Sequence, residues 1–203
     1  MKTNFFAIAR ETKKIYFDTD VRIKPLSKVC TAGCSFCCHQ NVRVHFGEAP
    51  AIEKFIKEDM SLQTKSLVKQ NLISWFEYFD SVTPNDRPLN DADILKFEKQ
   101  ITVDRIPCAF LIDDRCSIYK ARPLVCRTHF VRDSSELCKQ DPHRNGDITG
   151  IEIQKQKFNE ISKASDMFGI RLLAYAVQES LGLNHTCKPI GLNIAPTLRP
   201  TDS

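Results

Sequence analysis

The stretch Cys30-Thr31-Ala32-Gly33-Cys34-Ser35-Phe36-Cys37-Cys38 decides how the rest of the chain must fold. Its spacing is C-x3-C-x2-C-C, four thiols in nine residues. Thiolates repel one another, so a group this dense requires a cation, a cluster or disulfide pairing. A second group lies far downstream. It comprises Cys108 in Pro107-Cys108-Ala109-Phe110-Leu111, Cys116 in Cys116-Ser117-Ile118-Tyr119, and Cys126 in Arg122-Pro123-Leu124-Val125-Cys126-Arg127. Seven of the nine cysteines thus fall into two sets that make one site only if the fold joins them. Closing so long a loop costs chain entropy, which a metal clip offsets well.

Disulfides belong to oxidising compartments. The N-terminal Met1-Lys2-Thr3-Asn4-Phe5-Phe6-Ala7-Ile8-Ala9-Arg10 has an apolar run too short for a secretory signal, and Glu11 follows at once. No stretch approaches the roughly 18 apolar residues of a membrane span. The expectation is a cytoplasmic chain with reduced thiols. Nine is also an odd number, which cannot pair completely within one chain. A metal site is therefore preferred to a disulfide scaffold.

Composition sets the remaining bounds. At 203 residues, with 42% hydrophobic and 27% charged residues, the chain is expected to be one soluble globular domain over 1–203. Within it, residues 28–130 form the metal-binding region, 150–183 a C-terminal helical region and 189–203 a loose tail. The net charge of +4 is spread among acidic residues, as in Lys57-Glu58-Asp59, and no Lys/Arg block occurs. No nucleic-acid partner and no membrane partner are expected. Only seven glycines occur, with no G-x-G-x-x-G and no Walker sequence, so those nucleotide sites have no support.

Periodicity outlines the elements. A short helix is expected within 1–24, and Pro25 leads into the cysteine loop. Val42-Arg43-Val44-His45-Phe46 alternates as a short strand does. Ile52, Phe55 and Ile56 form one helical stripe, and Val68, Leu72, Trp75, Phe76 and Phe79 form another. Asn90-Asp91-Ala92-Asp93 opens a further helix with Ile94, Leu95 and Phe97. Residues 101–149 carry the second cysteine group on loops and single turns, with turns at Asp113-Asp114 and Asn145-Gly146-Asp147. A long helical region over about 151–181 draws on Phe158, Ile161, Phe168, Leu172 and Val177 and stops at Gly182 and Asn184. The fold class expected is mainly α: a single small domain with little β, its cysteine-rich loop core braced by three or four helices.

The pool of metal ligands is Cys30, Cys34, Cys37, Cys38, Cys108, Cys116 and Cys126. Cys34 and Cys37 make the C-x2-C step suited to a tetrahedral ion or one edge of a cluster. Which of the adjacent Cys37 and Cys38 ligates first stays open. Gly33 suits a backbone that approaches sulfur closely. Arg122 and Arg127 flank Cys126, where guanidinium donors offset thiolate charge or form ordinary surface ion pairs. Pro107 and Pro123 stiffen the ligand loops, and Ile118 and Tyr119 pack beneath the site. His39 and His129 lie near cysteines as nitrogen ligands or, more commonly for such residues, as polar neighbours. Cys138 stays open as an eighth ligand, and Cys187 reads as an isolated thiol. Structural zinc (Zn2+) and an iron–sulfur cluster, of the 4Fe-4S type if so, both suit the set. Cys30-x3-Cys34-x-Phe36-Cys37 also has the radical S-adenosylmethionine spacing, but the repeated strands of a partial βα barrel are missing.

Together these motifs resemble the YkgJ-like cysteine-cluster family, the CxxxCxxCC zinc- or iron-chelating domain. Cys30, Cys34, Cys37 and Cys38, Pro107-Cys108-Ala109-Phe110-Leu111 (like the family's C-P-F-L), Cys116-Ser117-Ile118-Tyr119 and Arg122-Pro123-Leu124-Val125-Cys126-Arg127 (like its R-P-x-x-C-R) occur in order over about 28–130. Ala109 where proline is common is a departure. The resemblance implies a small bacterial protein that chelates zinc or iron. Flagellin lysine N-methylases look to carry a similar cluster, which raises S-adenosylmethionine-dependent protein-lysine methylation. This chain is shorter than those enzymes and has no recognisable glycine-rich loop for that cosubstrate. The readings carried forward are an iron–sulfur or zinc protein in iron handling, redox sensing or electron transfer, with iron–sulfur preferred because seven clustered cysteines exceed one zinc's four; a lysine-modifying enzyme; and a structural zinc module for a protein partner. No catalytic residue is assigned.

Overall fold

In the computed structural model, α1 spans Phe5–Ile23 and starts at Asn4, whose Oδ1 accepts the Ala7 N–H at 3.1 Å. It is longer than the short helix expected. Its inward face, Ile8, Ala9, Thr12, Tyr16, Thr19 and Ile23, repeats at helical spacing and is buried. The structure describes residues 4–26, 28–31, 33–141 and 143–186. Cys187 and the expected tail from 189 lie outside them.

β1, Arg43–His45, follows the cysteine loop as the alternation predicts. Then come α2, Ala49–Glu58, with Pro50 in its first turn, and α3, Leu62–Val82, capped by Ser61, whose Oγ accepts the Thr64 N–H at 3.1 Å. α4, Asp91–Val103, starts on a reciprocal cap between Asn90 and Asp93. These helices surround the main core. Trp75 stacks on Phe79 with centroids 5.4 Å apart, and Phe97 meets both rings edge-on. Phe110 and Ile118, from the second cysteine region, are buried in the same core.

That region is more structured than loops and single turns. β2, Leu111–Ile112, and β3, Arg115–Cys116, form a hairpin. Asp113 and Asp114 both adopt left-handed backbone, φ 49° and 57°, as a two-residue hairpin turn of matching twist requires. α5, Leu124–Thr128, and α6, Ser135–Gln140, are short helices.

α7 runs over Ile148–Ser165. The helical region expected to about 181 breaks here. Asp166 is left-handed, φ 52°, and the chain then extends as β4, Ile170–Leu172, antiparallel to β1 with Arg43 opposite Leu172 and His45 opposite Ile170. β1 lies too far back in sequence for periodicity to reveal this pairing. Phe168, expected on an apolar helix face, is turned outward. α8, Leu173–Val177, then returns wholly buried residues to the core, and Gly182 stops the following 3-10 turn in a left-handed conformation. A second, smaller core joins α1, α2, α5 and α7 through Ala9, Tyr16, Ala51, Leu124 and Ile161. α7 crosses α5 closely at Gly150, where a Cβ would stand 2.1 Å from the Thr128 carbonyl oxygen.

Candidate metal centre

The first cysteine group lies on a tight turn followed by one 3-10 turn, Phe36–His39. Cys34 N–H donates to the Thr31 carbonyl at 3.1 Å and Cys38 N–H to that of Ser35 at 2.8 Å. Gly33 has φ +89° with open space where a Cβ would point. The glycine therefore serves the left-handed turn, not the close approach to sulfur that its position suggested.

Two bonds fasten this loop to the second group. The Cys108 N–H donates to the Cys38 carbonyl at 2.7 Å, and Ser35 Oγ donates to Asp114 Oδ1, in the hairpin turn, at 2.8 Å. The hairpin sets Cys116 opposite Leu111. Cys126 lies on α5. The first N–H of that helix, from Leu124, donates to Glu48 Oε1 at 2.7 Å. Glu48 is wholly buried and also accepts from the His45 N–H and the Tyr16 hydroxyl, each at 2.9 Å. One carboxylate thus ties α1, the turn after β1 and the Cys126 helix together. Nothing in the sequence marks it, because its partners are remote along the chain.

The thiols interact electrostatically. Cys37 is exposed and accepts a hydrogen bond from the Cys38 thiol, which holds Cys37 down at about 7 and raises Cys38. Burial pushes Cys108 up to about 12 and Cys126 well above the ordinary thiol range. Burial raises Cys116 and Cys34 as well. The charge of Cys37 is felt at Cys108, Cys116 and Cys126, and also at Cys34. Cys30 neighbours Cys34, and so does Cys138 on α6, whose sulfur is 4.0 Å from Arg144 Nη1. The seven expected ligands thus occupy one region, Cys138 adjoins it, and Cys37 is common to both sides. Among the described residues no three His, Cys, Asp or Glu side chains stand close enough together to hold a metal ion as they are placed, so binding one requires the thiols to draw in.

The histidines have other partners. His39 Nδ1 donates to the Ser35 carbonyl at 3.2 Å, and the ring of His129 packs beside Gly146. Burial, then the charge of Arg144, lowers the His129 pKa. Ile118 packs in the core as expected, but Tyr119 is 59% exposed, with the Arg122 guanidinium stacked 4.0 Å from its ring centroid.

Two buried polar atoms beside the thiols, Arg122 Nε and Ser117 Oγ, have no hydrogen-bond partner among the described residues. Both can donate. A cation held by more thiolates than it has charges is a net anion that would accept from them, so the donor set and its surroundings fit a thiolate-bound metal group.

These features define a helical domain built around a thiol-rich centre. Residues 29–145, more than half of the chain, match the CxxCxxCC family, described as a "Putative zinc- or iron-chelating domain", and the chain belongs to that family. No curated protein and no solved structure matches it. No helix among the described residues is long and apolar enough to cross a membrane.

Proposed function

We propose that the chain holds an iron–sulfur cluster on thiolates drawn from Cys37, Cys38, Cys108, Cys116 and Cys126, with Cys30 and Cys34 completing the ligand pool, and that it serves in redox sensing or iron handling. One observation carries this reading: the 2.7 Å bond from the Cys108 N–H to the Cys38 carbonyl, which joins two distant cysteine loops through rigid backbone. Structural zinc needs four ligands, and the thiols that feel the charge of Cys37, namely Cys34, Cys38, Cys108, Cys116, Cys126 and Cys138, exceed that number. When bound, the cluster supplies a one-electron couple or an oxygen-labile centre. The chain's own residues do the remainder. Burial keeps Cys108 and Cys126 protonated until a cation displaces the protons, so loading releases protons and strengthens as pH rises. Cys37, low in pKa and exposed, offers the first thiolate to an arriving ion.

Cys108→Ser and Cys126→Ser test this assignment. Each is expected to lose bound metal, while the exposed Leu62→Ser retains it. Full metal stoichiometry in both cysteine variants would contradict the ligand set.

A further inference from the structure

Two arginines bracket Cys126, and the structure separates their roles. Arg127 is buried and fully engaged. Its Nε donates to the Arg122 carbonyl at 2.8 Å, one terminal nitrogen bonds the Lys120 carbonyl, the other pairs with Asp20, and the guanidinium lies 4.2 Å from the Tyr16 ring centroid. Each of its three nitrogens has a protein acceptor, which is the signature of a structural clamp.

Arg122 differs. Arg127 holds its backbone carbonyl, and the Tyr119 ring holds its guanidinium plane at 4.0 Å. Among the described residues no carboxylate pairs with it, and its Nε is buried with no acceptor. Its charge acts on three thiols, Cys37, Cys116 and Cys126, whereas that of Arg127 acts, more weakly, on Cys116. A buried N–H without an acceptor costs a folded protein free energy and persists where another state of the molecule supplies the acceptor. Ser117 Oγ, next to Cys116, is in the same position.

Resting on the metal reading above, we infer that Arg122 is the principal counter-charge and the N–H donor of the thiolate centre, so that it sets metal affinity while Arg127 chiefly holds the fold. A charge-assisted N–H···S contact needs no atom of Arg122 to ligate the metal. Arg122 is then a positioning and affinity-determining residue.

This role and a structural one predict opposite signs in the apo protein. Removing a donor that lacks an acceptor leaves apo stability unchanged or higher, whereas removing a clamp lowers it. The experiment titrates cobalt(II), whose thiolate charge-transfer bands report sulfur ligation, into reduced apo protein. It compares wild type with Arg122→Met, Arg122→Lys and Arg127→Met, and records apo thermal midpoints alongside. Arg122→Met is expected to keep or raise the apo midpoint and to weaken cobalt binding by about tenfold or more. Arg122→Lys, which keeps the charge but not the planar fork, is expected to recover part of that loss. Arg127→Met is expected to lower the apo midpoint. Wild-type affinity in Arg122→Met, or an apo midpoint that falls together with its affinity, would overturn the inference. Wild-type protein without sulfur-to-cobalt bands would overturn the metal reading itself, a result distinguishable from either.

Discussion

At the scale of single residues, Glu48 best shows what the cysteines depend on. Its carboxylate accepts from Leu124, His45 and Tyr16 in a fully buried setting. Glu48→Ala leaves these donors without an acceptor and removes a charge facing Arg127, so we expect a loss of about 3–5 kcal/mol in stability and a weakened hold on Cys126. Urea denaturation of the apo variant checks this, and a loss below about 1 kcal/mol would show the network to be incidental. The ligand candidates themselves were legible because thiol spacing is a local signal. Glu48 was not, since a single glutamate before Ala49-Pro50 resembles any helix start. The geometric role of Gly33 was misread for a related reason: sequence marks a glycine but not whether conformation or space requires it.

At the scale of elements, β1 and the turn after it carry a pH-sensitive joint. His45 is 4% exposed, and its Nδ1 accepts the Gly47 N–H at 3.0 Å. That bond requires the neutral ring, so Nε2 carries the proton and donates to Ser162 Oγ at 2.7 Å. Burial lowers the His45 pKa to about 4 from 6.5. The folded state thus binds this proton less readily than the unfolded one. The contribution is fully present above pH 6.5 and is lost as pH falls through that value towards 4. Glu48, raised by burial, acts in the opposite sense, favouring the folded state more at low pH. Comparison with His45→Asn isolates the histidine: between pH 7.5 and 5, wild type is expected to lose more stability than the variant. Equal slopes would contradict this assignment. The helices here were readable from apolar stripes and caps, as with Asn90 and Asp93. The break after α7 was not, because β4 exists through pairing with β1, and non-local pairing leaves little trace in periodicity.

At the scale of the whole molecule, the metal centre and the helical frame are linked. The main core takes in Phe110 and Ile118 from the cysteine region, and the second core takes in Leu124 at the start of the Cys126 helix. Metal binding should therefore stabilise the whole fold. At a free metal concentration of 100 Kd, linkage gives about 2.7 kcal/mol, or a rise of roughly 5–10 °C in thermal midpoint for a domain of this size. Calorimetry with and without chelator measures this. An unchanged midpoint would mean that the thiols bind metal outside the cooperative unit. The sequence announced the mainly helical class and the joining of two cysteine groups. It could not announce that backbone bonds, through Cys108 and Cys38, do the joining, because such bonds carry no side-chain signature.

The most direct test of the account is the iron, zinc and acid-labile sulfide content of protein purified without oxygen, read together with its absorption spectrum. The account predicts brown protein with about four iron and four sulfide per chain, the content of one cubane cluster. Colourless protein with one or two zinc ions and no sulfide would contradict the iron–sulfur assignment and make the centre a zinc site, and protein with no bound metal would contradict the account as a whole.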